Sequence, residues 1–308
     1  MSSFKESPDP LYVLRGANSQ LSCLKFENSA TLWSGTYTGH VYSWSMETRR
    51  ISQTILAHPG HSVLWMEFIL GTGSLLTQGR DGSVKIWAQS ESCFTETGTL
   101  LCSSLGFCNS ALVDQHTLAV PANGMSTVDI FDIRNHTNVS TLLPDQKSPK
   151  LGMCMKMCIA NDRSLLVGYE DGSVALWDIG EHKMVSRLQL HADAVMCLDY
   201  CSKLTKGFSG SVSEDIFSCV LNNNTIVKKT EVKVTNAGFS DCKVRRDGKI
   251  VAFAGWDSNV RIFGAKHLKP LAVLNYHKEG VQCVTFSEDY LMACGSKDQL
   301  ISLWDLYR

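Results

Sequence analysis

The residues of this chain whose types could do chemistry are its histidines, its turn aspartates and its cysteines. His58 precedes Asp81 and His277 precedes Asp298, and buried pairs of that kind orient catalytic imidazoles. His58 with His61 and Cys154 with Cys158 are the ligand-like pairs, but neither has a second pair at zinc-site spacing. The histidines and aspartates recur along the chain and do not converge on one place. That recurrence reads as a structural role repeated unit by unit. Cys23, Cys197 and Cys283 likewise hold one position in similar stretches (LSCLKF, VMCLDY, VQCVTF), which reads as packing by a small apolar side chain. No phosphate-cradling Gly-x-x-x-x-Gly-Lys-Ser/Thr loop and no Gly-x-Ser-x-Gly nucleophile elbow occurs. The expectation is a chain that is not an enzyme, with no cofactor and no metal.

What must position these residues is a repeat. Leu75–Trp87 (LLTQGRDGSVKIW), Leu165–Trp177 (LLVGYEDGSVALW), Val251–Phe263 (VAFAGWDSNVRIF) and Met292–Trp304 (MACGSKDQLISLW) share one pattern. Each is an apolar run, a turn carrying Asp, then an alternating run that closes on an aromatic. Looser copies close at Trp44, Phe131 and Cys219. The closing positions fall about 44 residues apart, the period of a four-stranded propeller blade. Asp and Gly suit the turn between the two strands, and the alternation suits a half-buried strand. A further strand precedes each pair and another follows it. The reading is an all-β fold: a seven-bladed β-propeller filling residues 1–308 as one domain. Pro10–Leu14 (PLYVL) mimics Pro270–Leu274 (PLAVL), the outer strand before the last repeat. Residues 10–16 are therefore expected to complete the seventh blade and close the ring, after a flexible segment 1–9.

Composition narrows the function classes. The chain has 29 basic and 30 acidic residues for a net charge of −1, with 44% hydrophobic and 19% charged residues. That balance gives no basic footprint for nucleic acid and no membrane-surface character, so neither partner is expected. No apolar run is long enough for a membrane span, and the first ten residues carry no secretory core. The chain is therefore expected to be intracellular, its 12 cysteines as thiols.

What remains is surface. The residues preceding the turn Asp position are Tyr37, Arg80, Glu170, Trp256 and Lys297, with Tyr169 beside Glu170. Tyr, Trp and Arg are enriched at binding hot spots, so this rim is the expected protein-binding site. The irregular stretches Gly106–Ser110 and Lys150–Met157 (KLGMCMKM) are a second candidate.

With Trp177-Asp178, Trp304-Asp305 and the weaker Trp44-Ser45 closing repeats, the chain resembles the WD-repeat family over residues 10–308. The resemblance implies a hydrogen-bonded set of His, Ser/Thr, Asp and Trp inside a blade. Its residues here are His58, Thr77, Asp81 and Trp87; His191; Asp171 and Trp177; and His277, Asp298 and Trp304. Cys294 stands where the last set needs its hydroxyl, and the fifth repeat keeps His191 without an Asp or Trp. The stretches PLYVLRG, KLGMCM, AFAGWD and GSKDQLISLWDLY are similar to the G-protein-β-like branch that includes the fungal ASTRA-associated proteins. That likeness implies an adaptor, monomeric by itself, whose partners are the cochaperone subunits that mature phosphatidylinositol-3-kinase-related kinases, and those kinases. The alternative is a signalling scaffold for other partners. Only about ten residues precede the first strand and none shows a heptad, so no γ subunit is expected.

Overall fold

The computed structural model describes residues 7–90, 93–123, 126–145 and 150–307. Its strands form seven sheets of four antiparallel strands. Six sheets are built from consecutive strands. Blade one runs from Leu21–Asn28 to Ile51–Leu56, blade two from Val63–Ile69 to Phe94–Leu101, and blade three from Ala111–Leu112 to Thr137–Leu142. Blade four runs from Cys154–Asn161 to Lys183–Gln189, blade five from Val195–Cys201 to Thr225–Lys233, and blade six from Phe239–Val244 to Lys269–Leu274. The seventh joins Val281–Phe286, Met292–Ser296 and Ile301–Trp304 to a strand from the other end of the chain, Tyr12–Leu14. There Tyr12 faces Leu303 and Leu14 faces Ile301, and the Leu11 N–H donates to the Leu303 carbonyl at 2.8 Å. The closing strand, Tyr12–Leu14, is shorter than residues 10–16, since Pro10 and Leu11 precede it and Arg15 and Gly16 follow it outside the strand pairing. Most of the expected flexible segment, residues 1–6, lies outside the described residues. Of the rest, Ser7 is held to the ring: its Oγ accepts the Asn275 N–H at 3.2 Å. No helix among the described residues is long and apolar enough to cross a membrane.

The core is divided among the blade interfaces. Each of seven apolar clusters draws on two neighbouring blades, and one of them joins blade seven to blade one through Leu14, Leu21, Trp44 and Ile301. A local rule lets the blades approach. The glycine near the end of the second strand leaves room for the residue that opens the next blade's first strand. A Cβ added to Gly35 would lie 2.7 Å from Val63, one on Gly168 2.5 Å from Val195, and one on Gly210 2.8 Å from Phe239. At Gly295 the neighbour is Leu21 of blade one. The repeated cysteines sit across the strand from these glycines: Cys23 faces Gly35, Cys197 faces Gly210 and Cys283 faces Gly295. All three thiols are buried, and burial pushes Cys23 up to about 12, away from the thiolate form.

Candidate functional site

Two side-chain sets in the blades have the connectivity of a hydrolase triad. In blade seven, Ser302 Oγ lies 2.7 Å from His277 Nε2, and His277 Nδ1 lies 3.0 Å from Asp298 Oδ2. The Trp304 indole N–H donates to the same Ser302 Oγ at 2.7 Å. An indole can only donate, so the serine proton goes to Nε2, leaving Nδ1–H for the carboxylate. Blade two repeats this: Trp87 donates to Thr77 Oγ1, which lies 2.9 Å from His58 Nε2, and His58 Nδ1 lies 2.9 Å from Asp81. Both hydroxyls are buried and engaged on both sides. These sets brace the blades.

The hydroxyl of blade seven comes from an unexpected strand. Cys294 is not a gap in the set, because Ser302 sits directly opposite Cys294 in the ladder and reaches the same imidazole. Blade four differs too. Asp171 is joined to Arg187 Nη2 at 2.5 Å, and Trp177 donates to the Tyr169 hydroxyl at 3.0 Å. His191 belongs to blade five, where its Nε2 meets Ser209 Oγ at 2.9 Å. Its Nδ1 has no partner among the described residues, since Ser213 stands where an aspartate would be. Burial pushes His191 down to about 4, and it also lowers His58 against the opposing pull of Asp81.

Tyr169 is a correction to the rim reading. It is fully buried, and its hydroxyl receives the Trp177 indole N–H, so it offers nothing to a partner. Glu170 is exposed, but its carboxylate turns back to accept the Met153 N–H at 3.0 Å. The other four rim residues come together. Tyr37, Arg80, Trp256 and Lys297 line one recess of about 480 Å³. Trp256 is 46% exposed, its inner face against Gly238, where any Cβ would strike the ring. Arg80 lies over the Phe107 ring with its guanidinium carbon 4.1 Å from the centroid. The Tyr37 hydroxyl reaches Gln282 Oε1 at 3.4 Å.

Phe107, Met155, Met196, Ser240 and Gln282 complete this recess, and residue-by-residue reading missed most of them. A signal existed. Ser22, Leu64, Met155, Met196, Ser240 and Gln282 are each the second residue of a first strand, and all line the recess. Beneath it the first strands of all seven blades surround a channel of about 390 Å³. Carboxylates do converge there, but each meets a lysine: Glu67 with Lys25 at 2.5 Å, Asp199 with Lys243 at 2.9 Å, and Asp241 with Lys156 at 3.5 Å. The aspartates also accept backbone N–H groups of the next blade, at Val244 and Val284. The channel groups are thus committed to each other and to ring geometry. Among the described residues, no group of three or more His, Cys, Asp or Glu is placed to hold a metal ion.

Residues 268–305 match the family model described as WD domain, G-beta repeat. The chain is 39% identical to the mouse guanine nucleotide-binding protein subunit beta-like protein 1, over 99% of this chain and 98% of that one. It belongs to that family of WD-repeat propellers. It is also 26% identical to ASTRA-associated protein 1 of Schizosaccharomyces pombe, over 97% of this chain and 99% of the relative. The Penicillium rubens protein of the same name is 25% identical over 92% of this chain and 82% of its own length. The fold and these relatives point to a protein-interaction adaptor of non-catalytic kind.

Proposed function

We propose that this chain is a non-enzymatic adaptor that holds its protein partners at the recess over the channel. The observation that carries this is the convergence there of Tyr37, Arg80, Trp256 and Lys297, supplied by separate blades. Exposed aromatic and arginine side chains around a concavity are the usual material of interface hot spots. The finer reading is that the adaptor serves the cochaperone machinery maturing and stabilising phosphatidylinositol-3-kinase-related kinases, and so DNA-damage signalling. In it the protein works in both cytoplasm and nucleus. Relatives named as ASTRA-associated support membership of a multiprotein assembly. The name of the mouse relative favours a second reading, a G-protein-β-like scaffold that works without a γ subunit.

Affinity purification with quantitative mass spectrometry separates these readings. Wild type is compared with the double variant Trp256→Ala, Arg80→Glu. The adaptor reading expects kinase-maturation subunits with the wild type and at least a tenfold loss with the variant. Recovery of G-protein components in their place favours the scaffold. Full retention by the variant would move the binding site elsewhere on the ring.

A further inference from the structure

The recess has a sign and a neighbour. Its lining contains three cations, Arg80, Lys156 and Lys297, and no carboxylate, although the whole chain carries a net charge of −1. Lys156 lies at the floor and is shared with Asp241. Among the described residues, neither Arg80 nor Lys297 has a carboxylate partner within ion-pair distance. The Arg80 guanidinium lies over the Phe107 ring, and a guanidinium not already paired with a carboxylate can fork one from a partner.

A second groove of about 350 Å³ adjoins the first, and the two share Phe107 and Met155. Its walls are Leu105, Gly106, Pro121, Met153 and Cys154. Leu105 is 65% exposed, Phe107 59% and Met153 39%. Large apolar side chains this exposed, side by side, mark a contact surface. Methionine adds a wall that adapts to the shape of what enters.

We infer that this continuous surface takes an extended acidic segment of a partner protein, with carboxylates over Arg80 and Lys297 and a bulky apolar side chain between Leu105, Phe107 and Met153. The inference rests on the adaptor reading and sharpens it to a ligand chemistry. Complementary charge supplies encounter rate and register, and the apolar groove supplies residence time. Phe107 joins the two halves, because it lines both recesses and carries Arg80 over its ring.

The test is selection from a random dodecapeptide display library against the full-length chain, followed by fluorescence anisotropy on the selected peptides. Enrichment of Asp and Glu beside one bulky apolar position is expected, with affinity falling at least tenfold between 50 and 300 mM salt. Arg80→Glu with Lys297→Glu, both exposed and so foldable, is expected to reverse the charge preference of the selected peptides. Phe107→Ala is expected to abolish the apolar preference and keep the acidic one. Selected peptides lacking acidic enrichment, or the same peptides selected by the charge-reversed variant, would overturn the inference. Loss of partners from the Trp256→Ala, Arg80→Glu purification alongside such a result leaves the recess as the adaptor site and removes only the ligand chemistry. Undiminished partners in that purification remove the recess itself.

Discussion

A buried imidazole must satisfy both ring nitrogens, and the three blade histidines meet that demand unequally. His277 and His58 have a hydroxyl on one side and a carboxylate on the other. His191 has only Ser209. Replacing Ser302 by Ala strands both the Trp304 N–H and His277 Nε2, and a buried group left unsatisfied costs about 1–3 kcal/mol. A Tm lower by several degrees in calorimetry is expected for Ser302→Ala; an unchanged Tm would deny the hydroxyl its role. Acid is the second probe. His191 stays neutral in the fold down to about 4, whereas in the unfolded chain it protonates near 6.5. Between those values the unfolded state binds the extra proton, so stability present above pH 6.5 is lost as pH falls. A shift of that size corresponds to about 3 kcal/mol over the full span from pH 6.5 to 4. The wild-type Tm is expected to fall more steeply from pH 7 to pH 5 than that of His191→Gln, and parallel curves would remove the residue from the account. The histidines were legible from their place in the repeat. Ser302 was not, since it lies on the third strand and only cross-strand pairing brings it opposite Cys294.

At the scale of the blade, strand order and turn position follow from alternation and from the Asp-bearing turns, which is why the closing aromatics could be located in advance. How one blade seats on the next depends on small residues whose neighbours come from another repeat. Gly168 is an ordinary strand glycine in the primary structure, and in the ring it faces Val195 of the next blade. Gly168→Ala would force that contact to shift, and overpacking of this kind costs about 1–3 kcal/mol. Denaturant unfolding is expected to show a lower midpoint for Gly168→Ala, while Gly71→Ala, with no atom near its Cβ, loses only what its positive φ of 79° imposes. Equal losses in the two variants would argue against the seating rule. Tyr169 marks the limit of turn logic: it follows the rim pattern by position, yet the strand turns its ring inward to cap Trp177.

For the whole molecule, closure rests on three residues of backbone pairing, reinforced by Leu14, which is 1% exposed. Deleting residues 1–14 leaves the Ile301–Trp304 strand with an open edge and uncovers part of the interface between blades seven and one. A Tm drop of roughly 5 °C or more is expected from a loss of a few kcal/mol, and Leu14→Asp is expected to reproduce part of it. Thermal scans of both variants beside the wild type check this, and unchanged melting would refute closure as a source of stability. By itself the primary structure determined the number of blades, the strand that closes the ring and the residue types of one rim. Those properties are periodic, and a period is a one-dimensional quantity. Only the tertiary structure decided which rim residues meet: Tyr37, Arg80, Trp256 and Lys297 converge, Glu170 turns away and Tyr169 is interior. It also put three lysines against the channel carboxylates and joined the basic recess to the Leu105–Phe107–Met153 groove. Convergence across a ring depends on distances between blades far apart along the chain, and no local pattern encodes those distances.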